Sequence, residues 1–199
     1  MRVMLDTDTP TAVTNLKVRA PILATYADLV VGGAVTLAEL EREWGQVLLI
    51  DRGLGDPLGK ASIIDIERGT HAATDAPAWY DRQHAAGVHY LTVYANRASQ
   101  AAVNAAMGGR QFYRWIATLD GTAHVPPYAA GTAPAAVQIL GATQLGFHAD
   151  LSLVLEPWWQ PAPAAAPAPG PAWVKDALAK VTDTENELEL LAKLLAAHQ

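Results

Sequence analysis

The segment Ala61-Ser-Ile-Ile-Asp-Ile-Glu67 ends an apolar run in two carboxylates two residues apart. Side chains alternate along a strand, so Asp65 and Glu67 point to one face while Ile64 and Ile66 point to the other, against surrounding helices. Two carboxyl groups close together in a partly desolvated pocket push their pKa values apart. One stays protonated and one ionised, the division of labour that glycoside hydrolysis needs. A lone Asp-x-Glu at a strand end is common, and loop capping or pairing with Arg68 accounts for most instances. The chemistry therefore depends on which other elements bring polar groups to the same place.

Those elements are legible as apolar runs alternating with helical patterns. Val3-Met-Leu-Asp6 reads as a first strand closed by the turn chemistry of Thr7-Asp-Thr-Pro10. Leu29-Val-Val-Gly-Gly33 precedes a helix over residues 36–44, with Thr36 as N-cap and Glu39 three residues on, the pattern of a capping box. Val47-Leu-Leu-Ile-Asp51 ends in an acid followed by Arg52-Gly53, just as Glu67 is followed by Arg68-Gly69. A helix over residues 75–86, a strand over 89–94, a helix over 99–107 and a strand over 112–117 follow, and Val137-Gln-Ile-Leu140 and Leu151-Ser-Leu-Val-Leu155 close the series. Strands buried on both faces and separated by helices imply an α/β protein with a largely parallel sheet, either an open doubly wound sheet or a β/α barrel. The barrel is favoured because polar residues recur at several strand ends (Asp6, Asp51, Asp65 with Glu67, Asn96), where such barrels build their sites. The body, about residues 1–160, is short for eight full β/α units, so some helices must be missing.

Taken in order, these residues resemble glycoside hydrolase family 25, the lysozyme-type muramidases of phage endolysins, and their actinobacterial relatives. The likeness spans roughly residues 3 to 155. It rests on Asp6 ending the first strand, Asp65 and Glu67 ending the fourth, Tyr94-Ala-Asn96 and Trp115-Ile-Ala117 in the next two, then Gln138 and Asp150-Leu151. The resemblance implies a flattened, TIM-like β/α barrel with a reduced helix complement, acting on the peptidoglycan glycan strand without a cofactor. It makes Glu67 the general acid, with Asp65 and Asp6 stabilising charge or positioning the substrate's acetamido group. Asp150, Tyr94, Asn96, Trp115 and Gln138 would line the substrate cleft, Trp115 as a possible ring for stacking on sugar. Two departures stand out. The family's aromatic, His-containing third strand end is here Leu49-Ile-Asp-Arg-Gly53, and Thr7-Asp-Thr-Pro10 replaces the aromatic residues expected after the first Asp.

Other chemistries find less support. The chain has 199 residues, a formal net charge of -6, 14 scattered Lys and Arg and no Cys. That balance argues against nucleic acid as a partner and excludes disulfides, thiolate metal sites and Cys nucleophiles. The six histidines, His71, His84, His89, His124, His148 and His198, lack ligand spacing, so no metal is expected. The paired glycines do not open phosphate-binding helices, and Ser62, Ser99 and Ser152 sit in no nucleophile elbow. No apolar run reaches the roughly 18 residues of a membrane span, and Met1-Arg-Val-Met-Leu-Asp6 reads as a strand rather than a signal peptide. The expected route is therefore the cytoplasm of the producing cell, then release by lysis or carriage on a virion.

Residues 161–171 form a Pro/Ala tract suited to extended geometry, the expected linker. Trp158-Trp159, just before it, are expected to seal the barrel end. Beyond it, in residues 172–199, Val174, Val181, Leu188 and Leu195 fall at heptad spacing with Ala177 and Leu191, a short coiled-coil-like helix suited to self-association or docking on a partner. A second functional class follows: a non-catalytic or wall-binding virion structural protein, on head or tail, anchored through this arm.

Overall fold

In the computed structural model, residues 2–14, 22–31, 35–44, 46–119, 134–142 and 148–154 are described. The linker, the C-terminal segment and Trp158-Trp159 lie outside the described residues. Eight strands close into one barrel in sequence order, β1 (Arg2–Thr7), β2 (Ile22–Tyr26), β3 (Val47–Asp51), β4 (Ile63–Ile66), β5 (Thr92–Asn96), β6 (Tyr113–Ala117), β7 (Ala136–Leu140) and β8 (Asp150–Val154). Neighbours from β1 through β7 run parallel, whereas β8 pairs antiparallel with both β7 and β1. The barrel is thus mixed rather than wholly parallel. Because β8 runs against the others, its first residue, Asp150, lies at the end where the parallel strands finish, opposite Asp6 in register.

Alternation along the strands sorts the core into an interior and two outer layers. Met4, Ile22, Ala24, Leu48, Ile50, Ile63, Trp115, Ala136 and Val154 fill the barrel, with Tyr26 and Tyr94 packed above them. On one flank Leu5, Leu23, Leu49, Leu151 and Leu153 pack outward against Leu40 of α2 (Leu37–Glu43) and Trp44, which caps its C-terminus. On the other, Ile64, Ile66, Val93 and Ala95 meet Trp79 of α3 (Ala76–Ala85) and Val103 and Met107 of α4 (Gln100–Met107). Burying these twenty large apolar side chains at about 1.5–3 kcal/mol each is what holds strands this short in place.

Helices are few. A short α1 (Pro10–Thr14) follows β1, α2 follows β2, and α3 and α4 follow β4 and β5. No helix separates β3 from β4. That connection is a loop pinned by Asp56, whose Oδ2 accepts from Ala61 N at 2.7 Å and Gln83 Nε2 at 2.8 Å. No helix among the described residues is long and apolar enough to cross a membrane.

Several local readings hold. Thr36 and Glu39 form the capping box at α2, and α3 and α4 run close to their expected spans. Others shift for visible reasons. The second strand comes earlier than the Leu29–Gly33 run, at Ile22–Tyr26, and Leu29 and Val30 lie in a 3-10 turn that tucks Ala27 and Val30 into the outer layer. The fifth strand begins at Thr92 rather than residue 89, because Tyr90 adopts a left-handed φ of 59° that no strand tolerates.

Candidate active site

Four carboxyl groups meet at the barrel end where the parallel strands finish. Asp6 is the penultimate residue of β1, Asp65 comes from β4, Glu67 from just beyond it, and Asp150 from the first position of β8. Asp65 is buried, with 2 % exposure, whereas Glu67 is exposed at the lip. Asp6 feels the other three: its carboxyl is pushed well up by burial and then by Asp150, Asp65 and Glu67. Burial first and Glu67 second raise Asp65 to about 7. Glu67 and Asp150 are also raised, both chiefly by desolvation. Burial is the leading physical cause throughout, with nearby carboxylates adding to it.

Hydrogen bonds divide the four. Asp150 is well supplied: Gln138 Nε2 donates to its Oδ2 at 2.6 Å and the Ala142 amide donates to its Oδ1. Asp6 Oδ2 and Asp65 Oδ1 are buried with no protein hydrogen-bond partner among the described residues. The other Asp65 oxygen accepts from the Tyr26 hydroxyl at 3.5 Å, a long bond. An unpartnered buried carboxylate oxygen is costly, which favours the neutral form of both groups.

Glu67 is fixed through its backbone. Its amide donates to Thr70 Oγ1 at 2.8 Å, and that hydroxyl lies 3.0 Å from the carbonyls of Asp65 and Glu67. The turn is tied in again where the His71 amide donates to Asp65 O at 3.3 Å. A tight turn of this kind aims the carboxyl without using its oxygens.

Of the remaining expected site residues, Tyr94 and Gln138 join the cluster. The Tyr94 hydroxyl donates to Gln138 Oε1 and also lies within hydrogen-bonding reach of Glu67, which draws the Glu67 pKa back down. Trp115 does not serve as a stacking ring. It is 1 % exposed, donates from Nε1 to Ser152 Oγ at 3.0 Å and packs edge-on beneath Tyr94 with centroids 4.7 Å apart. Interior facing on β6 makes it the floor of the site. Asn96 is exposed and caps the turn before α4, its Oδ1 accepting from Ser99 N at 3.0 Å. Asp51, counted among the strand-end acids, faces outward because it follows the inward Ile50. It accepts from the Gly53 amide at 3.0 Å and pairs with His71 Nε2 at 3.1 Å, outside the barrel.

Two residues that sequence reasoning missed complete the mouth. Tyr26 ends β2 and faces the acids, its own pKa pushed up by burial and by Asp65 and Asp6. Arg52 braces it from behind: its guanidinium sits 4.5 Å from the Tyr26 ring centroid and pairs with Asp28 at 3.1 and 2.7 Å in a two-pronged contact. The signal for Tyr26 was present, a Tyr closing the run Ile22-Leu-Ala-Thr-Tyr26, and it was lost because that strand was placed too late. Among the described residues no set of three His, Asp or Glu is arranged to hold a metal ion. No protein-family model and no curated protein matches the chain.

Proposed function

We propose that the protein is a muramidase-type glycoside hydrolase acting on the glycan strand of peptidoglycan, built on a lysozyme-like barrel of the family 25 kind. The observation that carries this reading is the convergence of Asp6, Asp65, Glu67 and Asp150 at one barrel end, all with raised pKa values. Glu67, accessible at the lip and held in its neutral form more strongly than an ordinary Glu, donates its proton to the glycosidic oxygen. The C–O bond breaks with its electron pair leaving on that oxygen. Positive charge developing on the sugar ring is met by whichever of the remaining carboxyl groups stays ionised. Water then adds to the anomeric carbon and its proton returns to Glu67. Tyr26 and Tyr94 supply the aromatic surface of the mouth in place of the missing neighbours of Asp6.

The test is clearance of purified peptidoglycan, with release of reducing ends, by the wild type and by Glu67→Gln. The wild type should clear and the variant should not. A folded wild type inactive on walls of several bacterial classes defeats the proposal. A second reading, a barrel that binds wall glycan without cutting it, draws on the burial of Trp115, which removes one sugar-stacking surface. It predicts sedimentation with intact sacculi and no reducing ends. The arm that would anchor such a barrel to a virion lies outside the described residues.

A further inference from the structure

The four acids differ in one respect that charge alone does not fix, the direction of the hydrogen bonds joining two of them. Gln138 is buried, with 2 % exposure, and its two amide atoms face different partners. The Tyr94 hydroxyl meets its Oε1, and its Nε2 meets Asp150 Oδ2 at 2.6 Å. A hydroxyl can donate to a carbonyl oxygen, and an amide nitrogen can only donate, so the polarity runs from Tyr94 through Gln138 to Asp150. The second Asp150 oxygen also receives a donor, the Ala142 amide. At the other end, the Tyr94 hydroxyl is also within reach of Glu67, where its contact favours the ionised carboxylate against the upward push of burial.

We infer that Gln138 is a positioning residue, oriented by Tyr94, that holds Asp150 as the standing anion of the site. This rests on the hydrolase reading for its catalytic meaning, though not for its chemistry. The protons that like-charge crowding forces on the cluster settle on Asp6 and Asp65, whose inner oxygens have no donor to lose. Asp150 then faces the sugar as the ionised carboxylate. It makes no bond and opposes the positive charge of the transition state by its field. Once Glu67 has given up its proton, the Tyr94 hydroxyl can turn to donate to it. Among the described residues, the charged and titratable groups that interact with Asp150 are Asp6 and Asp8 from the β1 side, Glu67 from the turn after β4 and Tyr94 from β5. None of these is cationic, and the two N–H donors, Gln138 Nε2 and the Ala142 amide, are what stabilise the anion among the described residues. The opposite polarity, with the Gln138 amide turned over, would place its oxygen against Asp150 and require a proton there.

Side-chain carboxyl ¹³C titration of the full chain, with Asp150 assigned through Asp150→Asn, reads this directly and needs no substrate. Asp150 should titrate below Asp65 in the wild type. In Gln138→Met, which keeps bulk and removes the donor, its midpoint should rise by about one pH unit, the size of effect a lost hydrogen bond to a carboxylate produces. Kinetics on soluble glycan fragments should show kcat lowered roughly 10- to 100-fold with KM changed less than about twofold, and the acidic limb of the profile shifted upward with the titration. Tyr94→Phe retains the ring on Trp115 and should move Asp150 in the same direction by less, so a Gln138→Met chain that fails to fold does not leave the inference unread. Asp150 titrating with or above Asp65 in the wild type, or at the same pH in the folded variants, overturns it. If the titrations behave as expected and no glycan is cleaved, the hydrolase reading falls and the assignment of the anion stands.

Discussion

Asp65 is the residue at which burial and function pull hardest against each other. Its carboxyl rises from an unfolded value of 3.8 to about 7 in the fold, chiefly through desolvation and then through Glu67. A raised folded-state pKa means the native protein holds a proton that the unfolded chain releases. This contribution is complete below about pH 4 and is lost as pH rises through about 7. At 1.36 kcal/mol per pH unit, ionising the native site by pH 8 costs on the order of 4 kcal/mol. Asp65→Asn removes the titration while keeping a side chain that Tyr26 can still donate to. The variant should melt higher than the wild type at pH 8 and show little of that advantage at pH 4. Equal melting differences at the two pH values would mean Asp65 is not the group that titrates. Glu67→Gln separates from it cleanly. Glu67 is exposed and held through its backbone by Thr70, so the substitution should lower hydrolysis by about 10²–10⁴-fold. Its circular dichroism and melting point should stay those of the wild type.

Among the elements, the contrast between β6 and β8 shows which information the chain carries locally. The Asp-x-Glu alternation on β4 could be read from two-residue periodicity, and so could the inward facing of Tyr94 and Gln138, since each lies an even number of residues from another inward group. Depth could not. Trp115 has the right parity and the right motif, yet it sits low in the barrel, where Ser152 of β8 and the Tyr94 ring close over it. Nor does period-two patterning reveal strand direction, so the sequence around Asp150 does not show that β8 runs antiparallel. Asp51 misled for a related reason: it ends an apolar run as Asp65 nearly does, and one position of offset turns it outward to His71. The floor position makes a prediction. Trp115→Phe strips the donor from the buried Ser152 hydroxyl and opens space under Tyr94, and should cost roughly 2–4 kcal/mol in chemical denaturation. KM should rise with it, as Tyr94 loses its support. A loss confined to stability, with kinetics unchanged, would show that Tyr94 is held by Gln138 alone.

On the scale of the whole molecule, closure is the property that matters, because it leaves no unpaired strand edge and makes the barrel complete in itself. β1 pairs with β8 over five residues and with β2 over four, so the ring that carries all four acids is finished by Val154. The outer layers that cover it come from α2, α3 and α4, all earlier in the chain. Among the described residues, every element that closes and covers the barrel precedes residue 155; the expectation of a tethering arm over residues 161–199 can be tested by truncation. A chain ending at residue 160 should therefore melt within about 4 °C of the full one, a shift worth no more than roughly 1 kcal/mol. It should also keep whatever glycan-cleaving activity the full chain has on soluble fragments. What it should lose is self-association or docking, read by sedimentation velocity at matched concentrations. A truncated chain that unfolds far earlier would place the terminal segment against the barrel, as part of its stability rather than as a tether.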